Sequence, residues 1–370
     1  MHGSHGSFPG RFRTGVSLHS HTLHSRESLG FIHQAARHSV LLRLALRRGS
    51  DRYLAMHGSE LDLNQGWWTP PLSPRDAFAL EAAQLEDLNL TPLVSITDHD
   101  DIEAPISLQA VDASRQVPVS VEWTVPYGAT FFHIGVHNIS AQHARATMRR
   151  LAAISAEHTP GELKSLLADL HGDPATLVVF NHPLWDEKGV GAAVHRAAAL
   201  DFVRRYRDYV HAFELNGLRP WAENRATIQF AHDANKPVVS GGDRHVVEPN
   251  AVINLTNAAD FAEFAQEVRD GQWSNVLVMP QYREAHVSRI FHNIVDVFRT
   301  YENHSLGWTR WADRVFFKKG DGSVTSLTQL WGERPPAAVA LFAGFMRLAA
   351  QTPVRLALRS VMSEVPTAAK

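Results

Sequence analysis

The chain of 370 residues contains no cysteine. It therefore has no disulfide, no thiolate nucleophile and no cysteine ligand, and any bound metal must be held by nitrogen and oxygen atoms. Long apolar runs are also missing, because no stretch reaches the roughly 20 residues of a membrane-spanning helix. The first residues, MHGSHGSFPGRFRTG, lack the apolar segment of a signal peptide. We therefore predict a cytoplasmic protein without a membrane partner.

An excess of one charge sign is also missing, since 36 Lys and Arg residues oppose 38 Asp and Glu residues, for a formal net charge of -2. This balance argues against a strongly basic nucleic-acid-binding protein and against an acidic tail. The hydrophobic content of 44% allows one large barrel-sized domain or two smaller domains.

Histidine, in contrast, is abundant, with 22 residues, and three of them cluster in SLHSHTLHSRES (17–28). In an extended strand His19 and His21 point to the same face, because side chains alternate along a strand. Two neutral imidazoles on one face can share one cation. His24 breaks this alternation, and the pattern alone is only a weak indication of a metal site.

Apolar segments that end in polar residues recur along the chain. Strands are predicted in LVSIT (93–97), QVPVSVEWTV, GATFFHIGVHNIS, ATLVVFNHP, YVHAFELNG and KPVVSGGDRH, and helices in SPRDAFALEAAQLEDLNL, GELKSLLADLHG and ENRATIQFAHDAN. This alternation is typical of a parallel α/β sheet or barrel. In a closed barrel, polar residues at the carboxyl ends of the strands build the functional site.

Nine residues at or just beyond these strand ends combine imidazole nitrogen with carboxylate oxygen: His19, His21, Glu27, His99, Glu122, His133, His182, Asp243 and His245. Each residue alone has an ordinary structural explanation. Packing does not explain nine of them at one edge of a predicted barrel, whereas Mn, Zn and Fe all suit this mixture of ligands. The sequence therefore predicts a metal site.

The ordered series HSH, SRES, TDHD, VEW, FFHIGVH, NHP and GGDRH resembles the polymerase and histidinol phosphatase (PHP) family over residues 15–280. This resemblance implies a distorted seven-stranded β/α (TIM-like) barrel with two or three divalent metal ions at its rim. Matched residue by residue, the first metal would be held by His19, His21, Glu122 and Asp243. Glu122 would bridge to a second metal on His133 and His182, and a third would be held by Glu27, His99 and His245.

Four further polar residues lie close to these motifs in the sequence, namely His24, Asp98, Asp100 and His137. They are candidates for hydrogen bonds that orient the ligand side chains. Helix capping is an equal alternative for the two aspartates.

The chain is expected to divide into a flexible N-terminus (1–14), the barrel (15–280) with an insertion at 29–72, and a mostly helical C-terminal extension (281–370). The texture of the sequence changes near residue 281, where RIFHNIVDVFRTYENHSLGWTRWADRVFF begins a different pattern. We expect the extension to pack on the barrel or on a second subunit, and in the second case an oligomer would form through it.

The resemblance implies hydrolysis of phosphoesters by a metal-bridging hydroxide in a di- or trinuclear site. The positive charge of three divalent ions exceeds the negative charge of three carboxylates, so the site would stay positive and attract phosphate. Arg244 and Arg26 are the candidate catalytic residues that would hold the phosphate, with Arg219 a further candidate. An ordinary surface ion pair is an equal alternative for each arginine.

The expected substrate is a phosphorylated small molecule or a nucleotide, and short nucleic acid stays open as a further substrate. Two other functions also stay open. One is a metal-dependent hydrolase of the amidohydrolase type, which shares His-x-His but commonly adds a bridging lysine. The other is a metal-bound scaffold without catalysis, acting through the C-terminal extension.

Overall fold

The structure of the protein is a computed structural model that describes residues 11–30, 32, 40–58, 60, 62–111, 116–319, 321–331, 335 and 337–362. Most of the predicted flexible N-terminus lies outside these residues, and so does part of the predicted insertion at 29–72. No helix in the described ranges combines the length and the apolar character needed to cross a membrane.

The strands are numbered in chain order within the described residues. They are β1 (Thr14–Ser17), β2 (Glu27–Ser28), β3 (Gly66–Trp68), β4 (Thr91–Val94), β5 (Val121–Tyr127), β6 (Thr130–His137), β7 (Leu177–Asn181), β8 (Ala212–Asn216), β9 (Val238–Gly241), β10 (Val252–Thr256), β11 (Asn275–Val278), β12 (Val315–Lys318) and β13 (Val324–Ser326).

The helices are α1 (Val40–His57), α2 (Pro74–Glu86), α3 (Glu103–Val111), α4 (Ala144–Ala156), α5 (Pro160–Gly172), α6 (Ala192–Tyr206), α7 (Trp221–Asp233), α8 (Phe261–Arg269), α9 (His286–Phe298), α10 (Leu327–Trp331), α11 (Ala337–Ala349) and α12 (Thr352–Met362). Helix α5 shows why these segments start where they do. Thr159 accepts a hydrogen bond from the Glu162 amide, the Glu162 carboxylate accepts one from the Thr159 amide, and Pro160 follows the cap.

Two sheets carry the polar strand ends that the sequence indicated. The first has four strands in the order β11-β10-β1-β4, with β1 parallel to β4 and antiparallel to β10. The second has five strands in the order β5-β6-β7-β8-β9. In this sheet β7, β8 and β9 are parallel, whereas β6 is antiparallel to both of its neighbours.

The predicted seven-stranded barrel is wrong, because none of the sheets formed by the described strands is closed. A barrel requires each strand to pair with a neighbour on both sides. Between β4 and β5 there is only an isolated bridge, His99 to Glu122, and between the end of β1 and β9 only an isolated bridge, Ser20 to Arg244. The antiparallel hairpin of β5 and β6, which turns at Gly128 with φ 58°, also departs from a β/α repeat.

A third sheet, which the sequence did not indicate, joins distant parts of the chain in the order β13-β12-β3-β2. Two of its strands, β12 and β13, belong to the region beyond residue 281. The C-terminal region thus contributes two strands besides the helices α9 to α12.

The first two sheets, called the larger sheets because their strands contain more residues in total than those of the third, share an apolar core. Val16 from β1, Leu93 from β4 and Val179 from β7 belong to one buried cluster, which α8 covers with Phe261 and Phe264. A larger cluster packs the outer face of the five-stranded sheet against α4 to α7. The sheets therefore face each other, although hydrogen bonding between them is sparse.

Candidate metal centre

Glu122, on β5, lies at the centre of the polar cluster and is fully buried. Its Oε2 faces three imidazoles, at 2.9 Å from His19 Nε2, 3.3 Å from His21 Nε2 and 3.4 Å from His99 Nδ1. Its Oε1 faces two others, at 3.1 Å from His182 Nε2 and 3.5 Å from His133 Nδ1. The two oxygens of one carboxylate thus serve two separate groups of ring nitrogens.

His19 and His21 follow β1, and their Nε2 atoms lie 3.0 Å apart. The backbone that carries them bonds to the residue after Asp243, since the His21 amide donates to the Arg244 carbonyl at 2.7 Å. Asp243 Oδ1 consequently reaches both rings, at 3.6 Å from His19 Nε2 and 3.4 Å from His21 Nε2. This places the carboxylate of Asp243 in the group around Glu122 Oε2.

Glu27 forms a neighbouring group. Its Oε2 lies 3.3 Å from His99 Nε2 and 3.2 Å from His245 Nε2, and its Oε1 lies 3.7 Å from His21 Nδ1. The rings of His21 and His245 stack with centroids 4.2 Å apart. The structure therefore brings all nine candidate ligands into one cluster, and their role as metal ligands stays a prediction.

Backbone strain marks two of these positions. His182, just after β7, has φ 26°, and Asp243, just after β9, has φ 53°. Non-glycine residues rarely adopt positive φ, and strained residues of this kind concentrate at functional sites. Here the strained backbone turns each side chain into the cluster.

The donor atoms fit divalent cations. Ligand atoms lie within 4.8 Å of one another in three groups: His21, Glu27, His99 and His245; His19, His21 and Glu122; and His99, Glu122 and His133. The buried Nδ1 of His133 finds no hydrogen-bond partner within the described part of the chain. A buried polar atom without a partner is costly, and a cation would satisfy it together with the facing lone pairs.

The three carboxylates are held in their charged form. Burial by itself would raise the pKa of Glu122, but the positive potential of His19 and neighbouring imidazoles outweighs it and holds that pKa well below its usual range. The same balance of burial against nearby imidazoles lowers the pKa of Glu27 and of Asp243. Metal binding requires deprotonated ligands, so these carboxylates are ready to bind.

The imidazoles differ in the direction in which their pKa is shifted. Burial lowers the pKa of His21 to about 4, and burial also lowers the pKa of His133. For His245 burial acts in the same direction, but the Glu27 carboxylate outweighs it and raises the pKa to about 9. The carboxylates therefore demand compensating positive charge, which a proton or a metal ion can supply.

Glu214, on β8, was not among the predicted site residues. Its Oε1 accepts a hydrogen bond from His19 Nδ1 at 2.5 Å, and its Oε2 accepts one from the His182 amide at 2.9 Å. It thereby leaves Nε2 of His19 as the atom that faces Glu122. Asn181 and Asn216 act similarly, donating to Glu122 Oε1 at 2.9 Å and Asp243 Oδ2 at 3.0 Å. The signal in the sequence was the same polar strand end that identified the other residues.

The four predicted neighbours form hydrogen bonds with Thr22, Ser95 and Thr124. Asp98 accepts hydrogen bonds from the amide and hydroxyl of Thr22, at 2.5 and 2.6 Å, and so fixes the turn after His21. Asp100 accepts one from the Thr124 amide at 2.9 Å. His137 Nδ1 pairs with Ser95 Oγ at 2.8 Å, and the amide of half-buried His24 donates to Thr22 Oγ1 at 3.3 Å. Neither aspartate caps a helix through these bonds.

The three candidate arginines are engaged elsewhere. Arg244 is buried and pairs with Glu81 Oε1 at 3.0 Å. The guanidinium of exposed Arg26 lies 5.2 Å from the Trp67 ring. That of Arg219 pairs with Glu223 at 2.9 Å and lies 4.5 Å from the Trp185 ring. Contact of any of them with phosphate stays a prediction.

The cluster is more exposed to solvent on one side than on the other. The side chains of His99, His245 and Glu187 are 16%, 17% and 25% exposed, whereas Glu122 is only 1% exposed. Glu187 was also missing from the predicted residues, and its Oε2 lies 3.7 Å from His133 Nδ1. Half-buried Trp185 borders the same opening, with its ring 5.0 Å from that of His182.

Comparison with solved structures finds chains with similar structure but low sequence identity. A candidate metal-dependent phosphoesterase from Bifidobacterium adolescentis is 15% identical, with 54% of this chain and 92% of that chain covered, at a TM-score of 0.34. A two-domain protein from Bacteroides vulgatus with a predicted PHP-like metal-dependent phosphoesterase is 12% identical, with 57% and 62% covered, at 0.38. An amidohydrolase from Chromobacterium violaceum is 16% identical, with 48% and 84% covered, at 0.33.

No family model matches the chain, and no curated protein matches it. Among the solved structures that resemble it, one contains a predicted PHP-like metal-dependent phosphoesterase. The three structures named here have TM-scores below 0.5, so only the residues of the site indicate a function.

Proposed function

We propose that the protein is a metal-dependent hydrolase of phosphoesters. The observation that carries the proposal is the position of Glu122, whose two buried oxygens face separate groups of imidazoles. A carboxylate in this position can bridge two cations. The residues that would hold the metals are His19, His21 and Asp243 with Glu122; His133 and His182 with Glu122; and Glu27, His99 and His245.

Charge favours a phosphate ester over a neutral substrate. Three divalent ions carry more positive charge than the four carboxylates of Glu27, Glu122, Asp243 and Glu214 return, so the site would attract an anion. When bound, such ions polarise a phosphoryl group and lower the pKa of water toward neutrality. Mn, Zn and Fe suit these ligands.

The residues of the chain orient the ligand side chains and exclude water from the site. Glu214 and Asn216 fix His19 and Asp243 by hydrogen bonds, and Asn181 fixes Glu122. The buried positions of these groups keep competing water away from the carboxylates, which strengthens electrostatic interactions in the site. Hydrolysis then needs no serine or cysteine nucleophile, in keeping with a chain that contains no cysteine.

The substrate class within this proposal is a phosphorylated small molecule or a nucleotide, and short nucleic acid is a further candidate. The opening near His99 and His245 gives access for a phosphoryl group on the exposed side. A formal net charge of -2 gives no general attraction to long polyanions. A substrate panel must therefore include monoesters and diesters.

The test measures the metal content of one preparation and its turnover of three substrates. These are the monoester p-nitrophenyl phosphate, the diester bis-p-nitrophenyl phosphate and the amide p-nitroacetanilide. We expect bound metal and turnover of a phosphate ester. His182→Ala should lower that rate by at least about 100-fold, because even the loss of a partner that only orients a metal ligand costs about 10- to 100-fold. The matched control is His232→Ala, since that histidine is 81% exposed on α7.

The other outcomes discriminate between functions. Turnover of the amide without the phosphate esters would identify an amidohydrolase. Bound metal with no turnover, together with a Glu122→Ala variant that changes only thermal stability, would support a scaffold. A wild-type rate in His182→Ala would remove His182 from the site.

A further inference from the structure

Glu27 differs from the other candidate ligands in how its backbone is held. Most of the others lie on or directly after strands of the two larger sheets, whereas Glu27 lies on β2, which has only two residues. So short a strand has little stability of its own. Within the described residues it pairs with β3, with Glu27 opposite Trp68 and Ser28 opposite Trp67.

The strand that holds β2 is in turn held by the C-terminal region. On its other edge β3 pairs with β12, with Val315 opposite Trp68 and Phe317 opposite Gly66. The Thr69 amide extends this ladder by donating to the Arg314 carbonyl at 2.9 Å. A continuous ladder therefore runs from β12 through β3 to Glu27.

Side-chain packing fixes the same three strands against one another. Leu29, Leu63, Val315 and Phe317 form one buried cluster. A Cβ added at Gly66 would come within 2.7 Å of both Leu29 Cδ1 and Phe317 Cε1. The segment that follows Glu27 is thus in close contact with β12 across β3.

Arg314 anchors β12 to the rest of the C-terminal region. Its buried guanidinium donates to the carbonyls of Trp308 and Val297, at 2.9 and 2.8 Å, and more weakly to those of Thr309 and Arg299. These bonds tie β12 to the end of α9 and to the loop that follows it. The position of β12 is therefore well determined.

We propose that residues 314–318, here called the C-terminal clamp, position Glu27 for metal binding. The inference rests on the proposed metal centre. With the clamp in place, the Glu27 carboxylate is held 3.2 to 3.3 Å from the Nε2 atoms of His99 and His245. Loosening of the clamp lowers the metal affinity of the group formed by His21, Glu27, His99 and His245. The groups around Glu122 keep their positions, because the larger sheets hold them.

The experiment measures metal bound per chain in purified full-length variants, over a range of free Mn or Zn concentrations. Glu27→Ala defines the loss of the Glu27 metal group. Phe317→Ala removes packing from the clamp, Phe317→Leu retains most of it, and Val315→Ala is a milder second variant. The matched control is Val324→Ala on β13, since Val324 is 54% exposed. Circular dichroism and urea unfolding report whether each variant is folded.

We expect Glu27→Ala to lose one metal equivalent and Phe317→Ala to bind that same equivalent about 10- to 100-fold more weakly. The remaining metal should be retained, and Phe317→Leu and Val324→Ala should resemble the wild type. If Phe317→Ala does not fold, Val315→Ala should show the same selective weakening.

Two results would overturn the inference while leaving the proposed function intact. One is full metal content in the folded clamp variants when Glu27→Ala has lost one equivalent. The other is unchanged metal content in Glu27→Ala itself. A wild-type protein that binds no metal would contradict the proposed function as well, so the two failures are distinguishable.

Discussion

At the scale of single residues, the stability of the fold depends in part on a histidine outside the metal cluster remaining neutral. His211, just before β8, is buried, and its Nδ1 accepts a hydrogen bond from the Val178 amide at 2.9 Å. Its proton is therefore on Nε2, which donates to Nδ1 of His171 at 2.9 Å. Burial, reinforced by the positive charge of Arg269, lowers the pKa of His211 to about 2.

This depressed pKa predicts acid lability. In the unfolded chain the imidazole takes up a proton near pH 6.5, whereas the native form does not, so stability is lost as the pH falls below about 6.5. Between pH 7.5 and 5.5 one such group costs about 1.4 kcal/mol. Urea unfolding at both pH values, with chelator present, should show that His211→Gln loses about that much less than the wild type. Equal losses would contradict the prediction, and His232→Gln on the surface should behave as the wild type.

At the scale of elements, the pairing of β8 with β9 depends on a residue without a side chain. Gly241 lies opposite Asn216 in this pairing. A Cβ at Gly241 would lie 1.6 Å from Glu214 Oε1 and 2.4 Å from its Cδ. Glu214 is the acceptor for His19 Nδ1, so the close approach of the two strands sets the orientation of a candidate ligand.

Gly241→Ala should therefore displace the Glu214 carboxylate and release the His19 ring. We expect metal affinity to fall about 10- to 100-fold, as it does when a partner that orients a metal ligand is lost. Metal titration of the folded variant provides the measurement. Gly161→Ala, in the first turn of α5, is the control because its Cβ would meet only Thr159 Oγ1 at 3.9 Å. Wild-type affinity in Gly241→Ala would show that Glu214 does not orient His19.

The elements also show what local sequence can predict. Strand positions and the residues at their ends were predictable, because apolar runs such as LVVF end in polar residues whichever way the strand runs. Strand direction was not, since β6 reads as an apolar run like the parallel strands although it is antiparallel to β5 and β7. The pairing of β3 with β12 depends on contacts between residues distant in sequence, so no local pattern indicated that Glu27 would lie next to the C-terminal region.

At the scale of the whole molecule, the two larger sheets meet along two seams, defined by the isolated bridges His99 to Glu122 and Ser20 to Arg244. Few backbone hydrogen bonds cross them, among them Asp100 N–H to the Glu122 carbonyl at 2.9 Å. The candidate ligands lie on both sides, since His19 and His21 follow β1 while Glu122 lies on β5. Bound cations would thus cross-link sheets that backbone pairing joins only weakly.

Removal of metal should therefore increase local opening at the seams more than opening within the sheets. After treatment with EDTA, we expect amide hydrogen exchange at His21, Asp100 and Glu122 to accelerate at least about 10-fold, because local opening has a lower free energy than global unfolding. Amides between β8 and the start of β9, such as that of Phe213, which donates to the Pro237 carbonyl at 3.1 Å, should change much less. Restoring metal at about 100 times its Kd should add about 2.7 kcal/mol to the free energy of unfolding for each ion bound.

The matched variant for this prediction is Glu122→Gln, which keeps the shape of the side chain but removes the charge shared by the two groups of imidazoles. In this variant the backbone amides at the seams should exchange rapidly whether or not metal is added. Acceleration spread evenly over the chain after chelation would indicate that the metal stabilises the fold as a whole. No acceleration at all would place the bound cations on one sheet only, because ions that do not bridge the seams cannot hold them closed.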